Sequence, residues 1–502
     1  MAKTVVINNF SGGLSQDPRE HNTNTFADSV GFDTISKSNT VSPYSSTEAE
    51  TRTTGDITDN LISDIGRDTS GYIYAVGRTS AGTPTGTTFL VKSSGTNIAS
   101  TYDVHANSGA LNAYRPNSLC QFLDGFYYID SNHALKKLTF PTTFSTAGTL
   151  SASSSWTNEL IPRPFVHPLK KYMFASVGQY FARVTDAGAY SNLDSYIKLP
   201  SNLYCSSLTD YGAFLAIAAA PSFTGGRSNV FLWDMRESSG TDFNESIDWG
   251  EGSLMILENI GGTLVGVSIS DANYASTTTY TTTKTKKLTI RALNGGQSVV
   301  VKEFTVPSTF SLKNYKVQVN GRLYFGADYC DNLYVVTKNS SGNIVVSKDR
   351  FVSYADSATS ITTFRGFNII GDYLFTMFDT ASTTGNIYRT KVTSTYGYNA
   401  TLTTNINPNM DNGDRSKRKQ LKSISVAKTS LTGELYLQYS YDGGVTFYSI
   451  GTALGGLVNK MTNQADNSPF EQGYEYQFKV TSNNGAEFTE LKYSYDVIEE
   501  LI

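Results

Sequence analysis

The chain has 502 residues, long enough for several domains, and its formal net charge of -4 gives no whole-chain attraction for nucleic acid. Hydrophobic residues make up 39%, aromatics 12% with 32 Tyr and 27 Phe, and charged residues only 17%, a balance that suits pleated surfaces and turn-rich connections. The three cysteines, Cys120, Cys205 and Cys330, are far apart and lack CxxC spacing, so they read as buried thiols and indicate neither a disulfide framework nor a zinc site.

The opening MAKTVVINNF lacks the apolar core of a signal peptide, and the longest apolar run, Ala213 to Ala220, is too short to cross a bilayer. A protein made in the cytoplasm without a membrane span is expected. Residues 1–60 show no helical period and are rich in Ser, Thr and Asn. Thr4 to Asn8 reads as a short strand broken by Ser11-Gly12-Gly13, and the whole stretch reads as an extended N-terminal arm.

From Leu61 a hairpin unit recurs. It is clearest in VQVNGRLYFGADY (317–329), where Asn320-Gly321 supplies two residues that tolerate positive φ between alternating runs. Related stretches are LISDIGRDTSGYIYAVGR (61–78), SLCQFLDGFYYIDS (118–131), KYMFASVGQYFARV (171–184), SLTDYGAFLAIAA (207–219), MILENIGGTLVGVS (255–268) and FNIIGDYLFTMF (367–378). The copies recur every ~40 to 60 residues, and each is followed by two more strand-like runs, which predicts four antiparallel strands per repeat and a β-propeller. Seven copies predict about seven blades over residues 61–406. A solenoidal β-helix is the rival architecture; antiparallel hairpins argue against it.

Near Asn405 the pattern changes. NINPNMDNGD reads as a linker, Arg415, Lys417, Arg418 and Lys419 form a basic run, and the alternating segments beyond predict a C-terminal β-sandwich over 407–502. The fold class expected is therefore all-β: extended arm, propeller, sandwich.

Chemistry is sparse. SYDGGVTF (440–447) matches the Ser-x-Asp-x-Gly-x-x-aromatic box, whose side chains tie a hairpin turn to its own backbone. NESIDWGEG (244–252) gathers Glu245, Asp248 and Glu251 around Trp249, which would suit one wall of a glycosidase site but reads more simply as a polar blade edge with a packed Trp. His21, His105, His133 and His167 have no metal-ligand spacing, and the GxSxG, P-loop and GxGxxG patterns are missing. Trp233-Asp234 matches the WD40 dipeptide once, without its Gly-His partner. No catalytic, cofactor or metal residue is assigned. The basic run at Arg415 to Lys419 reads as a solvated domain linker or an interaction patch for an acidic neighbour, with contact to DNA phosphates as the rival.

With these residues in view the chain resembles the β-propeller structural proteins of tailed bacteriophages. The resemblance rests on NNFSGGLSQDPRE with FADSVGFDTISKSNTVSPY, on the repeated hairpins, on NVFLWDMRESSGTDFNESIDWGEGSLMILENIGGTLVGVS, and on RSKRKQLKSISV. It implies a non-enzymatic virion protein of the tail or neck, nozzle-like, assembled as a ring of copies around the DNA exit path. Portal or adaptor proteins would be its neighbours, DNA a passing contact, and no cofactor is implied. Extended arms of this kind add strands to neighbouring subunits, so deletion of about the first 30 residues is expected to spare the propeller and block assembly. The rival readings are a phage-tail propeller that binds or cleaves host glycans, and a cellular scaffold of the WD40 kind.

Overall fold

Every described element is a β-strand. The computed structural model describes residues 2–49, 61–93, 102–107, 119–150, 161–221, 226–271, 285–350, 361–391, 400–454 and 470–498, apart from short breaks within these spans. The chain divides into two units: Met1–Thr47, Asp331–Ala355 and Thr390–Ile502 form the first, Glu48–Cys330 and Asp356–Arg389 the second.

The second unit is a succession of antiparallel meanders. Four-stranded sheets begin with Leu61–Arg67, Cys120–Phe122, Phe165–Val166, Leu203–Tyr211 and Ser253–Ile260, and in each the strands pair in chain order. The hairpin of Ser311–Val319 with Arg322–Asp328 follows, and then the sheet that begins with Ile361–Ile370 and Tyr373–Thr380. Each hairpin expected from the sequence is an antiparallel pair. Asn320 and Gly321 have φ of 51° and 73°, the left-handed pair that a two-residue primed turn needs.

The meanders are stacked face to face because their strands are apolar on both sides. In Phe214–Pro221, Leu215 and Ile217 join Phe174 and Phe181 of the preceding sheet, while Ala216 and Ala218 join Leu254, Leu257 and Leu264 of the next. Met173, Ala175 and Val177 likewise meet Cys120, Tyr127 and Ile129, and Tyr74 meets Phe126 and Tyr128. Large rings fit where the facing strand carries glycine: a Cβ on Gly266 would lie 2.5 Å from Trp249 Nε1, and one on Gly66 would lie 2.6 Å from the Phe126 ring.

From Leu203–Tyr211 onward the first strands neighbour one another from sheet to sheet, and Ile361–Ile370 packs against Leu61–Arg67, so the last sheet meets the first. Asn368 Nδ2 donates to the Ile65 carbonyl across that junction. Consecutive meanders closed in this way are a β-propeller.

Buried charge ties three first strands together. Lys316 Nζ lies 2.9 Å from Glu258 Oε2 and donates to the carbonyls of Leu208 (3.1 Å) and Leu257 (2.5 Å), while Thr209 Oγ1 donates to Glu258 Oε1 at 2.8 Å. Both charged side chains are buried, so each needs the other.

The first unit contains the small pair Phe32–Asp33 with Ser42–Pro43 and two larger sheets. One runs Lys3–Ile7, Phe488–Ile498, Arg418–Lys428, Gln472–Gly473; the other runs Gly13–Leu14, Thr25–Val30, Ala400–Thr404, Gln477–Asn483, Glu434–Ser440, Tyr448–Leu454. Their apolar faces share rings: Phe478 lies 4.7 Å from Tyr493. Two sequence expectations differ here. The opening residues pair with strands of their own chain, and Ala400–Thr404, placed by sequence in the propeller segment, pairs with Thr25–Val30 and Gln477–Asn483.

NINPNMDNGD is also more than a linker. Asn405, Asn407 and Met410 are buried; Asn405 bonds Ser15 Oγ (2.7 Å) and Thr25 Oγ1 (2.9 Å), and Asn407 exchanges bonds with Tyr474 and Tyr476. Phe10 and Phe32 each meet Phe488 edge-on at 5.8 and 5.6 Å. Gly13 has φ of 73°, and a Cβ there would meet the Val346 carbonyl at 2.3 Å, which accounts for the Gly-Gly of the opening motif.

Two outcomes are expected. Lys316→Met strands Glu258 as a buried unpaired charge and lowers stability in urea denaturation by about 3–5 kcal/mol, whereas Lys316→Met with Glu258→Leu recovers most of it. Deletion of residues 1–14 removes Ile7, Phe10 and Leu14 from the first unit's core, so limited proteolysis should cut the C-terminal segment well before the propeller segment; equal resistance would contradict the pairing described.

Candidate functional site

The sequence expects the basic run to act as a patch, and strand geometry divides it. Lys419 is fully buried, with Nζ on the carbonyls of Lys417 (3.2 Å) and Tyr474 (3.4 Å). Arg415 pairs with Glu475 at 3.5 Å and donates to the Arg19 carbonyl at 3.3 Å. Lys417 and Arg418 face solvent. The four cations therefore form no single surface.

The Ser440–Phe447 box closes on itself. Gly444 N donates to Ser440 Oγ (2.9 Å), Thr446 N donates to Asp442 Oδ1 (3.0 Å), and the Ser440 hydroxyl bond holds the Asp442 carboxyl below its ordinary range. Beside it Tyr441 and Tyr448 stack at 5.3 Å. The box is a stabilised hairpin, as its side-chain chemistry dictates.

His167 is buried, its Nε2 is 3.1 Å from the Phe214 carbonyl, and burial lowers its pKa. His133 sits in a left-handed turn at φ 61°. His21, Cys330 and the side chain of His105 lie outside the described residues. Cys120 and Cys205 are buried thiols pushed up to about 12 by burial. Among the described residues no group of three or more His, Cys, Asp or Glu could hold a metal ion.

The acidic segment leads to a cavity. Along Glu245–Glu251 the side chains of Ile247 and Trp249 turn into the core, and Glu245, Asp248 and Glu251 turn out. Trp249 fills the space between two sheets and is no platform for a sugar ring. Asp248 and Glu251 line a cleft of about 590 Å³ with Arg227, Ser246, Arg291, Gln297 and Ser298. Arg227 Nη2 lies 2.5 Å from Asp248 Oδ2 and faces Glu251 across the strand pair; this ion pair is the chief cause holding the Asp248 carboxyl below its usual range. Arg291 Nε is buried with no hydrogen-bond partner among the described residues.

Sequence reasoning singled out Asp248 and Glu251 but gave no sign of Arg227 or Arg291. It also missed Asp64, a fully buried carboxyl that accepts from Leu119 N (2.6 Å) and Ile65 N (2.8 Å) near Arg163, itself bonded to the Leu119 carbonyl. Burial outweighs these partners and raises Asp64 to about 6.

No family model matches the chain, and no curated protein matches it. Among solved structures it is similar to a virginiamycin B lyase from Staphylococcus aureus, at 12% identity and TM-score 0.42 over 68% of this chain and 98% of that one. It is similar also to BamB from Moraxella catarrhalis, at 11% and 0.40 over 78% and 100%, and to the WD40 β-propeller domain of Doa1, at 10% and 0.39 over 68% and 96%. Values this low bear on neither activity nor partners. The class that the strand topology defines is an all-β protein built on a propeller. Among the described residues no helix is long and apolar enough to cross a membrane.

The Asp64 carboxyl makes a pH dependence. Between about 4 and 6 the folded state keeps a proton that the unfolded state has released, so this group's contribution to stability falls as pH rises through that window. Relative to Asp64→Asn, the native chain should lose about 2 kcal/mol of unfolding free energy between pH 4 and pH 6.5. Chemical denaturation across that range measures it, and parallel curves for the two proteins would show that Asp64 titrates normally.

Proposed function

We propose that this protein is a non-enzymatic structural component of a tailed-phage particle, a seven-bladed propeller joined to a C-terminal β-sandwich and assembled as a ring of copies in the tail or neck around the DNA exit path. The observation that carries the reading is the fate of the motif NNFSGGL with its partner FADSVGF. These are the segments on which the resemblance to phage propeller proteins rests, and their residues serve architecture: Phe10, Leu14, Phe26 and Phe32 are core, and Gly13 is a close backbone approach.

The described polar groups on the first strands of the propeller point the same way. Glu258, Lys316, Thr209 and Asp64 hold neighbouring strands together, which favours a body that bears load. The ring's modest negative charge per copy, multiplied around a lumen, would repel phosphate and let DNA slide. Portal, adaptor and tail proteins would be its neighbours and the virion its location. The rival, a propeller that binds or cleaves host glycans, would have its place in the cleft beside Asp248 and Glu251, where the Arg227 ion pair disfavours Asp248 as a general acid.

Quantitative mass spectrometry of purified particles, with copy number, tests the reading. Six or twelve copies per particle are expected; absence from the particle overturns it.

A further inference from the structure

The cleft between the sheets that begin with Leu203–Tyr211 and Ser253–Ile260 is shaped by two irregularities, one in each sheet. On the first, Ser228 pairs with Gly250 but Asn229 with Asp248, so Trp249 is an extra residue on the outer strand. On the second, Ile290 pairs with Lys302 but Arg291 with Val300, so Val301 is extra. A bulge bends its strand and re-aims the side chains beside it. Here the two bulges bring Asp248 and Arg291 to the walls of one opening.

Gly250 completes the shape. Its φ is +98°, and a Cβ there would lie 2.8 Å from Arg291 Cζ and 2.9 Å from Nη2, so the guanidinium rests against bare backbone. Of the two guanidiniums in the cleft, Arg227 is matched by Asp248 and faces Glu251. Arg291 acts on Asp248 through its charge, and its Nε is buried beside Gly250 without a hydrogen-bond partner among the described residues, so the terminal amino groups of the fork are the atoms that would meet a ligand. Its planar fork suits two oxygens of one anionic group. Ser246, Gln297 and Ser298 add hydroxyl and amide groups around a volume within the range of small-molecule sites.

We propose that this cleft is a binding site for an oxyanion, carboxylate or phosphate, carried on a polar body of about monosaccharide size, with Arg291 as the residue that grips the anion. This goes beyond the structural role proposed above and does not depend on it. Isothermal titration of the full chain at constant ionic strength, with sodium D-glucuronate, glucose-6-phosphate and neutral D-glucose as probes, tests the site. Saturable binding of at least one anionic sugar is expected, with glucose at least tenfold weaker and Arg291→Gln at least tenfold weaker for that same anion. The better probe tells whether carboxylate or phosphate is the natural group. No saturable binding by either anion, equal binding of glucose, or unchanged binding by a folded Arg291→Gln overturns the proposal. Should that variant fail to fold, phenylglyoxal labelling of the native chain decides: protection of Arg291 by the bound probe supports the site, and labelling unchanged by saturating probe overturns it.

Discussion

A sheet that is apolar on both faces cannot end in water, and the propeller follows from that constraint. Phe214–Pro221 is buried along nearly its whole length, its odd positions facing one neighbour and its even positions the other. Each sheet therefore fills the space between two others, and the series finishes only when Ile361–Ile370 reaches Leu61–Arg67. Burial on two sides also explains the ionisable groups inside. A backbone N–H at Leu119 with no strand partner has to be met by something, and the Asp64 carboxyl meets it even though burial raises its pKa. Lys316 does the same work for the carbonyls of Leu208 and Leu257.

Outer strands are released from this demand and can carry polar side chains. Glu245–Glu251 still sends Ile247 and Trp249 inward, but its remaining positions face solvent, and a single bulge is enough to change which of them point together. Chemistry in this chain thus has its opening at the sheet periphery. Closer to the centre, Thr209, Glu258, Lys316 and Asp64 are taken up by neighbouring elements.

What could be read from sequence follows the range of the interaction concerned. The hairpins were legible because turn chemistry is local: Asn320-Gly321 needs positive φ, and the flanking alternation needs nothing from elsewhere. The self-closed box at Ser440 was legible for the same reason. The basic run was misleading because alternation on Arg418–Lys428 sends Lys419 inward while Arg418 stays out, and composition alone does not carry that phase. NINPNMDNGD has the composition of a linker, and its asparagines become buried latches only because Ser15 and Thr25, almost 400 residues away in sequence, arrive beside Asn405. Arg291 was invisible because its aim depends on a bulge, and a bulge is a property of two paired strands.

The arm shows how such long-range pairing changes a functional argument. An extended segment of Ser, Thr and Asn reads as a strand seeking an edge, which is right, and the edge it takes is in its own chain. Without it, the eleven-residue Phe488–Ile498 would present an open row of backbone groups at the margin of its sheet, a template for unplanned association. With it, the exposed margin becomes Lys3–Ile7, five residues long and opened by a lysine, a much poorer template. The opening segment therefore protects one edge of the first unit.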